Sequence, residues 1–156
     1  MFFVFMSVKD IYNKHLIPIS EDITIHEALS IMIKSHFNGV VVLNKNEELV
    51  GILSIQDIVS RIVPLEMKNN INLAEAMYKS DFFQEMCTKV KSEKVKDLMR
   101  KEIFTLRLEQ NIMTVAAEFL NTDLYVFPVI EKDKVVGIVT RSELKRALAL
   151  GMKITP

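Results

Sequence analysis

The chain has 156 residues, of which 49% are hydrophobic and 26% charged; this composition excludes intrinsic disorder and suits one ordinary domain or two small ones. Twenty Lys and Arg balance twenty Asp and Glu, so no surplus positive charge is available to neutralise the phosphates of nucleic acid or of an anionic membrane. The single Cys87 excludes an internal disulfide and stands in no Cys/His metal cluster, which fits a reducing, cytoplasmic setting.

The opening MFFVFM is apolar, but it is short, has no basic lead and is followed at once by Ser7, Lys9 and Asp10. It therefore reads as a packed or mis-started N-terminus and not as a signal peptide or membrane anchor. SVKDIY at 7–12 predicts a short helix, and Leu16 and Ile17 a short first strand. Thr24-Ile-His-Glu27 has the spacing of a capping box, after which Ala28, Leu29, Met32 and Ile33 share one helical face. VVVL at 40–43 and LVGIL at 49–53, separated by the polar NKNEE, predict a buried hairpin. A second helix follows over about residues 55–63.

Residues 64–93 are too many for a simple connection. Phe82, Phe83, Met86 and Val90 recur at helical spacing, and Glu75–Lys79 and Glu85–Lys89 are favourable i,i+4 pairs, so one or two amphipathic helices are expected. Their apolar face is expected to cover the protein's own core, the alternative being a docking surface for a second chain. Beyond them KVKDLM at 94–99 predicts another short helix, and Ile103–Phe104 another short strand. Asn111 is a candidate cap for a helix with Ala116, Phe119 and Leu120 on one face. Strands near 125–130 and 135–139 and a helix over about 141–150 complete the chain.

These elements are one unit written twice. SVKDIY answers KVKDLM and VVVLNK answers FPVIEK at an offset of 87 residues, which becomes 86 after one extra residue in the first hairpin turn. The organisation predicted is a first repeat at 1–63, a helical segment at 64–93 and a second repeat at 94–156. Each repeat reads strand, helix, strand, strand, helix behind a short extra helix, an α/β (α+β) fold class. A repeat of about 55 residues has too little interior to be stable alone, which is a physical reason for having two.

The candidate chemistry lies where each hairpin runs into a helix: Gly51-Ile-Leu-Ser54-Ile-Gln-Asp57 and Gly137-Ile-Val-Thr140-Arg-Ser-Glu143. Ser54 with Asp57 and Thr140 with Glu143 have the spacing of reciprocal helix caps, which any protein can use. A helix start also offers unpaired N–H groups to a phosphate, and a carboxylate one turn on can accept hydrogen bonds from a vicinal diol such as ribose.

Two copies of that pattern, each opening on V-K-D-[IL] and closing on G-[IV]-[LV]-[ST]-x-x-[DE], resemble a tandem pair of CBS domains, the Bateman module. The resemblance covers all but the first residues and 64–93. It implies two β-α-β-β-α repeats packed through their sheets, clefts that take AMP, ADP, ATP, S-adenosylmethionine or sometimes NAD, a regulatory role, and homodimers forming a four-repeat disk. It places Ser54 and Thr140 at the phosphate-side hydroxyl, with Arg141 as a possible phosphate contact, and Asp57 and Glu143 at the ribose carboxylate. The base is implied near Leu16, Ile17, Gly39 and Val40 in one copy and Ile103, Phe104, Val126 and Phe127 in the other. Three departures from the family pattern stand out. Glu143 has a longer arm than the commoner aspartate, Val41 stands where a proline is common although Pro128 is present, and Ser54 replaces threonine.

His15, His26 and His36 have neither ligand nor triad spacing, so neither an enzyme nor a metal site is expected. The reading is of a stand-alone sensor of an adenosine-containing ligand. Its competitor is a ligand-free dimerisation module that recruits an unknown target protein through residues 64–93 or the N-terminus.

Overall fold

The structure is a computed structural model that describes residues 5–77 and 81–154. The predictions for residues 1–4 and for the Glu75–Lys79 pair fall outside the described residues. In chain order the elements are α1 (Val8–Ile11), β1 (Ile19–Ser20), α2 (Ile25–Ser35), β2 (Gly39–Leu43), β3 (Leu49–Ser54), α3 (Ile55–Ile62), α4 (Leu65–Lys68), α5 (Ile71–Ala76), α6 (Phe82–Val90), α7 (Val95–Leu98), α8 (Ile112–Asn121), β4 (Phe127–Glu131), β5 (Lys134–Val139) and α9 (Arg141–Gly151).

The chain forms two compact units, residues 18–101 and residues 1–17 together with 102–156. In the unit of residues 18–101, β2 and β3 form the expected antiparallel hairpin and β1 runs parallel to β2, with Ile19 opposite Val42. Val40, Val41 and Val42 are all buried, as a sheet covered on both faces requires. Thr24 caps α2, its hydroxyl accepting the Glu27 N–H at 3.2 Å, and His36 ends the helix in a left-handed conformation. The inter-repeat segment forms α4, α5 and α6. Of these, α6 packs on the unit's own core through Met86, Cys87 and Val90, while α4 and α5 bury no residue.

In the other unit, β4 and β5 form a hairpin turned by Lys132 and Asp133, both at positive φ, the left-handed residue conformation that lets a two-residue turn match the right-handed twist of its strands. Helix α8 is capped by Asn111, whose side chain accepts the Met113 N–H at 2.8 Å, and Val115 is its fully buried residue.

The first strands lie later than predicted. Ile19–Ser20 takes the place of Leu16–Ile17, because Pro18 has no N–H for a ladder and Ile17 is exposed while Ile19 is buried. Likewise Leu106, bridged to Val129, replaces Ile103–Phe104; its N–H and C=O bond Pro128 and Ile130, each at 2.8 Å.

The compact units also cut across the repeats as they run in the sequence. Helix α7, which opens the second repeat in sequence, is bonded into the unit of residues 18–101: Val95 N–H donates to the Ile23 carbonyl at 2.9 Å and Lys96 N–H to Glu21 at 3.0 Å. Helix α1 does the reciprocal thing, Val8 and Lys9 donating to Gln110 and Leu108 at 3.0 Å each. Val8 and Val95 are fully buried in these positions, so each opening helix supplies a core residue to the other copy's unit.

Candidate functional site: the two helix starts

Both helix starts are built alike. Ser54 is the cap of α3, its hydroxyl accepting the Asp57 N–H at 3.4 Å, and the Asp57 carboxylate answers by accepting from the Ser54 N–H at 2.8 Å and hydroxyl at 2.9 Å. At α9 the Glu143 carboxylate accepts from the Thr140 N–H at 2.7 Å and from its hydroxyl, while the Thr140 oxygen accepts the Ser142 N–H at 3.2 Å. The longer glutamate arm thus still reaches back to close the box.

A second strand of chain crosses each site, and the repeated glycine makes room for it. After α7, Arg100 exchanges backbone hydrogen bonds with Ile52, at 2.8 and 3.0 Å. A Cβ on Gly51 would stand 2.6 Å from the Met99 sulfur and 2.9 Å from the Arg100 carbonyl oxygen. After α1, Asn13 makes the same exchange with Ile138, and a Cβ on Gly137 would collide with the Asn13 carbonyl oxygen and the Tyr12 ring. Neither glycine has a positive φ, so the close crossing explains them, not a turn.

The crossing brings a different side chain to each carboxylate. Arg100 Nε donates to Asp57 Oδ1 at 2.9 Å, and the Asp57 side chain is only 7% exposed. At the aligned position Asn13, which lines the same recess as Glu143, makes no bond to it; its Oδ1 accepts the His15 N–H at 2.9 Å. Both of the Thr140 donors go to Glu143 Oε2, and Glu143 Oε1 accepts none from the described residues. It lines a recess of about 400 Å³ with Tyr12, Lys14, His15, Ser142 and Arg146.

The other predicted positions divide between the two units. Gly39 and Val40 are buried in β2, beside the start of α3, where Gly39 pairs with Ser54. Leu16 and Ile17, expected next to them, fall in the other unit. Ile103 and Phe104 are half-buried there, and Phe104 meets the buried Phe127 edge-on at 6.0 Å between ring centres. Val126 is core. Arg141 is exposed and holds its guanidinium over the Tyr125 ring, 5.0 Å from its centre, and is not among the residues lining the recess.

The residues missed from the sequence are Arg100, Tyr12, Lys14 and Arg146, while His15, weighed there only as a metal ligand or triad member, lines the Glu143 recess. Aligning VKDLMRK with VKDIYNK sets Arg100 against Asn13, a difference whose consequence depends on the tertiary crossing that lays Arg100 beside Asp57. Elsewhere, the exposed Arg61 of α3 forms a two-pronged pair with Glu93, at 2.9 and 3.1 Å, whose hydrogen bonds and charge raise the guanidinium pKa above its usual value. Among the described residues no group of His, Cys, Asp or Glu is arranged to hold a metal, and no helix is long and apolar enough to cross a membrane.

The fold and the repeated helix starts define a tandem-repeat α/β module, and comparison with known proteins places it. The CBS domain family matches residues 8–64 and 95–150, and the chain belongs to that family. It is 29% identical over 155 residues to the uncharacterised protein MJ1426 of Methanocaldococcus jannaschii, covering 92% of this chain and 91% of that one. A homoserine O-acetyltransferase of Methanohalobium evestigatum matches at 25% identity over 90% of this chain but only 24% of its own length. Among solved structures, CBSX2 in complex with AMP superposes with a TM-score of 0.67 at 25% identity, over 94% of this chain and 98% of that one. The CBS domain pair of MJ0100, in complex with 5′-methylthioadenosine and S-adenosyl-L-methionine, gives a TM-score of 0.70 at 22% identity, over 95% and 99%.

Proposed function

We propose that this chain is a regulatory, non-enzymatic module that senses an adenosine-containing ligand, with AMP, ADP or ATP preferred over S-adenosylmethionine. The observation that carries the reading is Glu143: a mostly buried carboxylate held by Thr140, with one oxygen that accepts from none of the described residues and a recess containing Lys14, His15 and Arg146 beside it. A ribose diol donates to such an oxygen, and the cationic Lys14 and Arg146 suit a phosphate. The AMP complex of CBSX2, a relative in fold and family, supports the choice of ligand class. The test is thermal unfolding of the purified protein against AMP, ADP, ATP, S-adenosylmethionine and NAD. A ligand at about 100 times its Kd stabilises the native state by about 2.7 kcal/mol. A shift that Glu143→Gln abolishes supports the reading, and no shift with any of the five refutes it.

One observation favours a second reading, that of an interaction module. On α8 and α9, Met113, Leu120 and Leu148 are 60% exposed or more, an apolar face that a homodimer would cover. Light scattering of the wild type against Leu120→Lys with Leu148→Glu decides it: a dimer that the pair of substitutions dissociates supports this face, and a wild-type monomer eliminates it.

A further inference from the structure

The two carboxylates are not equivalent, and the difference comes from one side chain. On Asp57, Oδ2 takes both Ser54 donors and Oδ1 takes the Arg100 guanidinium, so each oxygen is engaged. On Glu143, Oε2 takes both Thr140 donors and Oε1 takes nothing from the described residues, because Asn13 has folded onto its own turn. Both a guanidinium and a hydroxyl make charge-assisted bonds to a carboxylate, but only the guanidinium adds the Coulombic attraction of a full opposite charge. A ribose arriving at Asp57 would have to displace this charged, part-buried donor, 28% exposed, with a neutral one.

We propose that Arg100 is a built-in occupant of the first repeat's carboxylate, so that each chain takes a single adenosine-type ligand, through Glu143, and Asp57 opens to a diol only when Arg100 is removed. This rests on the adenosine-sensing reading above and adds to it a stoichiometry and the residue that sets it. The backbone of Arg100 is tied to Ile52 whatever its side chain, so substitutions there change the occupant without undoing the crossing.

The experiment is calorimetric titration with AMP of the wild type, Arg100→Asn (the residue the other copy carries) and Arg100→Gln as a longer variant should the first fail to fold. The expected result is one AMP per chain in the wild type and two in the Arg100 variant, the added site surviving when Glu143→Gln is introduced as well. Two sites in the wild type overturn the lock, as does a variant that still binds one. Absence of AMP binding in the wild type and in both variants refutes the adenosine reading itself, and the lock with it; that outcome is distinct from one-site binding that Arg100 does not control.

Discussion

Gly137→Ala is the sharpest perturbation of this architecture. The new methyl would collide with the Asn13 carbonyl oxygen and stand 2.5 Å from Tyr12 Cδ2, so the crossing segment must move away from β5. Moving it stretches the two Asn13–Ile138 hydrogen bonds, now 2.8 and 3.0 Å, each worth about 1 kcal/mol net. Overpacking adds about 1–3 kcal/mol, for a total of about 3–5 kcal/mol. At about 2–4 °C per kcal/mol for a chain of this size, Tm should fall by about 6–20 °C. Gly51→Ala is the internal control: its nearest obstacle is the Met99 sulfur at the far end of a flexible side chain, with the Arg100 carbonyl oxygen at 2.9 Å. It should cost less, about 1–2 kcal/mol, since the thioether chain can rotate aside and the Arg100 carbonyl oxygen stands farther off than the Asn13 oxygen does from Gly137, so the backbone has less to move. Circular dichroism melts of the three proteins read the order directly. A Gly137→Ala protein that melts within about 3 °C of wild type, or above Gly51→Ala, would refute the argument that close crossing is what these glycines serve.

Phe127→Ala, which empties a fully buried ring site and removes the edge-on contact with Phe104, should cost about 3–5 kcal/mol in urea unfolding. Ser54→Ala should cost about 1 kcal/mol in the same assay, as the Asp57 N–H loses its cap and the carboxylate loses its hydroxyl donor. Arg61→Ala should change stability by less than about 1 kcal/mol despite the two-pronged pair with Glu93, because the arginine side chain is 52% exposed; raising the salt concentration should shrink even that difference.

Much of this molecule is legible in one dimension. The two repeats, the hairpins at Gly39–Leu43 with Leu49–Ser54 and at Phe127–Glu131 with Lys134–Val139, and the caps at Thr24, Ser54, Asn111 and Thr140 all rest on interactions within a few residues of one another, which periodicity and spacing report. Three things needed the tertiary structure. The first strand of each repeat slipped to Ile19 and Leu106 because pairing partners, Val42 and Val129, decided where an isolated short run would sit. The VKD helices joined the opposite copy's unit because their N–H groups find acceptors at Glu21, Ile23, Leu108 and Gln110, far away or in no set register along the chain. Arg100 lies 43 residues from Asp57 in sequence and 2.9 Å from it in space. Local spacing announces a carboxylate at a helix start, but whether that carboxylate is open or already paired depends on which distant segment the fold lays across it.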